Sequence, residues 1–73
     1  MSVVHRFSPE RLRGARDRAG LSREQLAVAT GRSADTVELW ERGKVQPPRR
    51  IAGLIASALG VSVDDLYDLA VPA

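Results

Sequence analysis

The amino-acid sequence predicts a small all-α domain of five short helices. Helix-capping residues precede several stretches in which apolar residues recur at intervals of three and four, and glycines stand where these stretches end. The apolar residues are mainly Leu, Val and Ala, and there is no cysteine to form a disulfide or a thiolate metal site. In a chain of 73 residues we therefore expect one domain over residues 8 to 69, between an N-terminal arm (1 to 7) and a C-terminal tail (70 to 73).

The first helix is expected to begin after Ser8 and to run to about Ala19. Ser8 is a favourable N-cap, and Pro9 suits the first helical position because its φ angle is already helical. Arg16 falls on the apolar face of this helix. An unpaired buried charge is costly, so Arg16 needs a partner, and Glu41 is the candidate.

The second helix is expected to begin near Arg23. Ser22 and Gln25 fit the capping box, in which a hydroxyl and an amide satisfy free backbone N–H groups at a helix start. Leu26 lies on the apolar face of this helix. Gly31 supplies the left-handed residue that commonly closes such a helix.

The third helix follows a tight turn and is expected over residues 34 to 42, with Ser33 as its N-cap. Successive residues of a helix are rotated by about 100°, so Val37 and Trp40 form a core stripe and the opposite side faces solvent or a partner. Two helices joined by a tight glycine-containing turn are typical of a helix-turn-helix unit.

The remaining chain predicts one loop and two helices. Residues 44 to 48 form the loop, and because prolines can begin a helix, the fourth helix should start beside the second proline and end at Gly60. Ser62 with Asp65 resembles another capping box. We therefore expect a fifth helix over about residues 63 to 69.

Charge is distributed unevenly along the chain. Residues 1 to 50 hold all 11 basic residues and six of the nine acidic ones, whereas residues 51 to 73 hold three acidic residues and no basic residue. The half that contains the helix-turn-helix unit is thus the basic half, as expected for a protein with a polyanionic partner. A solvated surface on an arginine-rich chain would explain the same pattern equally well.

Several functional classes find no support in the sequence. No apolar run is long enough to cross a bilayer and the N-terminus has no signal-peptide pattern, so we expect a cytoplasmic protein without membrane contact. The single histidine, His5, cannot form a catalytic pair or a metal cluster by itself, and there is no phosphate-binding glycine loop. We therefore expect no enzymatic activity, no cofactor and no small-molecule ligand.

The motifs taken together resemble those of the phage repressor and Cro family of helix-turn-helix regulators, also called XRE-type, with a lambda-repressor-like fold. The resemblance covers roughly residues 8 to 69. The residues that carry it are Arg16, Gly20-Leu21-Ser22, Leu26-Ala27, Gly31, Val37, Trp40-Glu41-Arg42-Gly43-Lys44, Pro47 and Ala58-Leu59-Gly60-Val61-Ser62.

The resemblance implies a set of site residues. The third helix would enter the major groove of DNA, and its base-facing residues would be Ser33, Ala34, Asp35, Glu38 and Leu39. Phosphate contacts would come from Arg23, Arg32, Arg42, Lys44 and Arg49. The same resemblance implies an ion pair between Arg16 and Glu41 that ties the first helix to the third.

The predicted function is sequence-specific binding of double-stranded DNA by a transcriptional regulator, expected to be a repressor. Relatives usually bind a two-fold related operator as a homodimer, with half-sites about 34 Å apart. The dimer surface would be either the end that carries Tyr67, Leu69 and Val71 or the N-terminal arm. The alternative is a protein-interaction module of the same fold, such as an antitoxin-like or adaptor domain, because the third helix exposes carboxylates and Leu39.

Overall fold

The computed structural model describes residues 4 to 70, which form four α-helices, one short 3-10 helix and a two-stranded antiparallel sheet. The elements in chain order are β1 (Val4–Phe7), α1 (Pro9–Ala19), α2 (Arg23–Thr30), α3 (Ala34–Glu41), α4 (Arg49–Leu59), the 3-10 helix (Val63–Leu66) and β2 (Tyr67–Ala70). The α-helices begin where predicted, and α1, α2 and α4 end beside the predicted glycines, whereas α3 ends at Glu41, one residue before its predicted end. None of the described helices is long and apolar enough to cross a membrane.

Local hydrogen bonds explain why α2 and α3 begin where they do. The Ser22 hydroxyl accepts a hydrogen bond from the Gln25 backbone N–H at 3.1 Å, and the Gln25 side-chain oxygen accepts one from the Ser22 N–H at 2.8 Å. At α3, the Ser33 hydroxyl accepts from the Thr36 N–H at 3.1 Å. Gly31 has a left-handed φ of 69°, so the chain turns between the two helices at little steric cost. The predicted helix-turn-helix unit is confirmed.

The helices enclose one hydrophobic core. In it, α4 packs against α2 and the 3-10 helix, and α1 packs against α3. Trp40 of α3 is the largest of the fully buried side chains. The buried apolar residues are Phe7, Leu12, Ala15, Leu26, Ala27, Val37, Trp40, Ile51, Ala52, Ile55, Ala56, Leu59, Leu66 and Tyr67. Since the chain has no disulfide, these side chains supply most of the stability of the fold.

The prediction of a fifth α-helix over residues 63 to 69 is wrong. The capping signal itself is real, because the Asp65 carboxylate accepts a hydrogen bond from the Ser62 N–H at 3.1 Å. The helix nevertheless ends after one 3-10 turn, and Tyr67 has extended backbone angles (φ −121°, ψ 144°). From Tyr67 onward the backbone pairs with β1, which supplies hydrogen bonds that a helix would otherwise have supplied.

The predicted N-terminal arm is also corrected for residues 4 to 7. These residues form β1, in which Phe7 is paired with Tyr67 and Arg6 with Asp68. The Phe7 and Tyr67 rings meet edge to face with centroids 5.7 Å apart, and both rings are buried. Of the residues predicted for one possible dimer surface, Tyr67 is thus buried and Leu69 is exposed; residues 1 to 3 and 71 to 73, which include Val71, lie outside the described part of the chain.

Tyr67→Ala should destabilise the domain by about 3 kcal/mol, because it removes a buried aromatic side chain and its contact with Phe7. Urea unfolding followed by the fluorescence of the single tryptophan measures this loss. Leu69→Ala is the matched control in the same strand. Its side chain is 70% exposed, so its unfolding free energy should change by less than about 0.5 kcal/mol. Equal effects of the two substitutions would contradict the packing of β2.

Candidate nucleic-acid interface

The third α-helix presents one buried face and one accessible face. Val37, Trp40 and Glu41 are buried against the rest of the domain. Asp35 and Leu39 are exposed on the opposite side. Arg23 at the start of α2 places Nη1 3.8 Å from Glu38 Oε1, so the start of α2 stands beside the accessible side of α3.

A buried ion pair fixes α3 against α1. The Glu41 side chain is only 1% exposed, and its two oxygens accept hydrogen bonds from Arg16 Nε at 2.6 Å and Arg16 Nη2 at 3.3 Å. Arg16 Nη1 also donates to the Leu21 carbonyl oxygen at 2.8 Å. The structure thus contains the pair inferred for Arg16 and Glu41, and Arg16 additionally holds the turn between α1 and α2.

Arg23 is a second partner of the same carboxylate. Its Nε donates to Glu41 Oε1 at 3.0 Å, so Glu41 accepts hydrogen bonds from α1 and from the start of α2. From the sequence, Arg23 is predicted only for phosphate contact, and this role is not indicated. No local pattern could have revealed it, because the two residues are 18 positions apart and neither spacing nor capping relates them.

The environment shifts the acid–base equilibria of this pair. Burial alone would raise the pKa of Glu41, but the hydrogen bonds from Arg16 and Arg23 outweigh it, and the pKa lies below its ordinary value. The hydrogen bond to Glu41 raises the pKa of Arg16 against the opposing effect of burial. Glu41 is therefore a carboxylate at neutral pH, which is the form that both arginines bind.

The five residues implied as base-facing do not all reach the accessible face. Asp35 and Leu39 are exposed, and Glu38 is half-exposed beside them. Ser33 is exposed, but its hydroxyl is engaged in the helix cap with Thr36. Ala34 is partly buried and packs against the core, since the first turn of α3 lies close to the rest of the domain.

Four of the basic residues implied for phosphate contact lie on or near the helix-turn-helix unit. Arg23 Nη1 and Arg42 Nη1 each lie 3.8 Å from a different oxygen of Glu38. Arg32 lies in the turn, exposed, with Nη1 donating to the Gly31 carbonyl oxygen at 3.2 Å. Lys44 is exposed in the loop after α3. These side chains give the surface around α3 a net positive charge.

Arg49, the fifth residue of that set, is engaged elsewhere. Its guanidinium carbon lies 4.7 Å from the centre of the Tyr67 ring, and its Nη2 lies 3.5 Å from the Asp64 carboxylate. Arg49 therefore contacts the 3-10 helix and β2. The predicted start of α4 is confirmed, but the sequence indicates no strand that would bring the Tyr67 ring beside Arg49.

The acidic residues near the C-terminal strand also form ion pairs with basic residues of other elements. A cavity of about 740 Å³, open to solvent, is lined by residues of β1, α1, the 3-10 helix and β2. In it the Arg11 Nε and the Asp68 carboxylate are 2.6 Å apart, so these polar groups satisfy each other. Within residues 4 to 70 there is no group of three or more His, Cys, Asp or Glu side chains that could hold a metal ion.

Comparison with known protein sequences agrees with this geometry. The profile described as the helix-turn-helix domain matches residues 10–69. A protein of Archaeoglobus fulgidus described as an "Uncharacterized HTH-type transcriptional regulator" is 33% identical over 57 residues, which make up 78% of this chain and 81% of that protein.

Solved structures resemble the fold closely. The restriction-modification controller protein C.AhdI from Aeromonas hydrophila has a TM-score of 0.75 and 33% identity, over 80% of this chain and 84% of that chain. HppE in its CoII form, in complex with Tris buffer, has a TM-score of 0.76 and 30% identity over 82% of this chain, but only 34% of the HppE chain is covered. The likeness to HppE therefore concerns one third of that protein.

A double-mutant cycle should show strong coupling between Arg16 and Glu41. Removing one partner leaves the other charge buried, which costs about 3 kcal/mol, and the two single effects should overlap by about 2 kcal/mol. Urea unfolding of both single alanine variants and the double variant provides the measurement. The exposed pair Arg11 and Asp68 is the control, with an expected coupling below about 1 kcal/mol. Additive effects at Arg16 and Glu41 would contradict a stabilising interaction between them.

Acid should weaken the domain partly through Glu41. Its folded pKa lies below the unfolded value of about 4.5, so the stabilisation by the pair is complete above that pH and is lost as the pH falls through the folded pKa. Thermal unfolding between neutral pH and about pH 3 should therefore show a steeper loss for the wild type than for Glu41→Gln. The difference between the two curves isolates Glu41 from the other carboxylates. Parallel curves would contradict the assignment.

Proposed function

This chain belongs to the helix-turn-helix domain family, and from that premise we propose that it is a sequence-specific DNA-binding transcriptional regulator in which α3 enters the major groove. The observation that carries the proposal is the accessible face of α3, which is bordered by basic side chains and held in place by the buried Glu41 carboxylate. The proposed role is binding, without a catalytic step.

The shape of α3 suits the major groove. An α-helix fits that groove, where each base pair presents a distinct pattern of donors and acceptors. In the proposed complex the accessible residues Asp35, Glu38 and Leu39 face the base edges, and Leu39, which is 37% exposed, offers an apolar contact of the kind a thymine methyl accepts. The first turn of α2 lies over the sugar-phosphate backbone, as in other helix-turn-helix proteins.

Basic residues around α3 supply the proposed phosphate contacts. Arg32, Arg42 and Lys44 are exposed, and Arg23, whose side chain is 41% exposed, is held by Glu41 through Nε, while neither of its terminal nitrogens donates a hydrogen bond to residues 4 to 70. Holding Arg23 in one orientation reduces the entropy that it would lose on binding. Arg49 is a weaker candidate for such a contact, because its guanidinium is engaged by Tyr67 and Asp64.

A single domain of this size covers one half-site. We therefore propose that two copies bind a two-fold related operator, with half-sites about 34 Å apart, and that the bound dimer acts as a repressor by covering promoter DNA. Within the described residues, the exposed Leu69 at the end of β2 supports a dimer contact near the sheet.

The alternative is a protein-interaction module of the same fold. The exposed Leu39, together with the carboxylates of Asp35 and Glu38, is the observation that favours it, because acidic groups on the groove face are repelled by phosphates. In that case the same face of α3 would contact a protein rather than DNA.

Selection of bound duplexes from a random pool should enrich a two-fold related motif. Binding of the best duplex and of a scrambled duplex at several salt concentrations then separates specific from non-specific affinity. Enrichment of no motif, with only weak salt-dependent binding, would overturn the proposal and favour the protein-interaction module.

The same titrations test the phosphate contacts. Arg42→Ala and Lys44→Ala should each reduce the slope of log affinity against log salt by about 0.9, and Lys44→Ala should weaken binding of specific and scrambled duplexes alike. Arg11→Ala removes the same charge beside β2, where Arg11 contacts Asp68, and serves as the control with an unchanged slope. Unchanged slopes for all three variants would contradict the assignment of Arg42 and Lys44.

A further inference from the structure

We propose that Glu38 reads a cytosine in each half-site, and that Arg23 and Arg42 make this possible by offsetting its charge. The proposal rests on the proposed function, since it assumes that α3 lies in the major groove. It assigns a specificity-determining role to one carboxylate among the residues on the accessible face of α3.

The placement of Glu38 is unlike that of the other acidic residue on this face. Its Oε1 lies 3.8 Å from Arg23 Nη1 and its Oε2 lies 3.8 Å from Arg42 Nη1, so a guanidinium stands on each side of the carboxylate. Both distances exceed hydrogen-bond length. Within the part of the chain that the structure describes, neither oxygen of Glu38 accepts a hydrogen bond, so both can still accept one from a base.

The two arginines reduce the repulsion between the Glu38 carboxylate and the DNA phosphates. An isolated negative charge there would be repelled by the phosphates on either side. Glu38 enters with two neighbouring positive charges, and the three side chains together carry a net charge of +1. Because Arg23 and Arg42 are both more than one third exposed, each can approach a phosphate while remaining close to Glu38.

The chemistry of the base edges selects cytosine. In the major groove cytosine presents only its N4 amino donor, which a carboxylate can accept. Guanine and thymine present acceptor oxygens that repel a carboxylate, and adenine presents its N6 donor beside the N7 acceptor. Because Arg23 and Arg42 offset the repulsion from the DNA phosphates, the Glu38 carboxylate is expected to favour a C·G pair over the other base pairs.

Asp35 is a poorer candidate for the same role. It is exposed in the first turn of α3, where its charge interacts favourably with the helix N-terminus. The ion pairs found within residues 4 to 70 place no arginine or lysine beside it. Its charge is thus offset by the helix dipole alone, whereas Glu38 has two guanidinium groups.

The test compares duplexes selected by the wild type and by Glu38→Gln from the same random pool. The wild-type motif should contain a cytosine at one fixed position of each half-site, and Glu38→Gln should lose that preference or replace it with adenine, since glutamine pairs with adenine. In titrations, exchanging that C·G pair for T·A should cost the wild type about tenfold in affinity and cost the variant little. Glu38→Ala removes the carboxylate without adding an amide and should abolish the same preference.

Glu24→Gln is the matched control, because it neutralises an exposed carboxylate in the first turn of α2 and should leave the selected motif unchanged. A Glu38→Gln motif that keeps the cytosine overturns the proposal, even if affinity for every duplex rises because two arginines have been released. A wild-type motif without a fixed cytosine overturns it as well. If the proposed function itself is wrong, the wild type enriches no motif at all, and this result is distinct from a motif without cytosine.

Discussion

The buried carboxylate of Glu41 is the constraint on which the arrangement of the first three helices depends. A carboxylate that is almost completely removed from water is tolerated only if its oxygens are paired, and here the partners are Arg16 of α1 and Arg23 of α2. One residue at the end of α3 therefore determines the position of both preceding helices. The rest of the core packs around that arrangement with apolar side chains, which would allow several angles between helices if they acted alone.

The same constraint extends to the surface. Arg23 bonds to Glu41 through Nε and faces Glu38 with Nη1, and Glu38 in turn faces Arg42. Side chains of alternating charge are therefore in contact from the buried Glu41 to the accessible face of α3. On the face that we propose for DNA, Arg23 is thus held by a carboxylate inside the core, and Glu38 and Arg42 are its neighbours.

The two-stranded sheet organises the opposite end of the domain. It buries Phe7 and Tyr67 together, and the acidic residues near it contact basic residues from other elements, as in the pairs Arg11–Asp68 and Arg49–Asp64. Part of the charge asymmetry along the sequence is therefore satisfied within the molecule. Other basic residues, among them Arg32, Arg42 and Lys44, are exposed around α3 and in the loop after it.

Local sequence determined much of this protein. The capping serines and the glycines predict α1 to α4 because capping involves residues three or four positions apart, and the periodicity of Val37 and Trp40 predicts the buried face of α3 for the same reason. The pair of Arg16 and Glu41 could also be predicted from the sequence, since a charge on an apolar face needs a partner and Glu41 was the candidate.

Only the tertiary structure decided the remaining features. Tyr67 belongs to a strand because it pairs with Phe7 of β1, which lies 60 residues earlier in the chain. The capping signal of Ser62 and Asp65 is local, so it contains no information about this pairing. Arg23 meets Glu41, and Arg49 meets Tyr67, only after the helices and the sheet have packed. Contacts between distant residues depend on how elements are arranged in space, and no spacing along the chain encodes them.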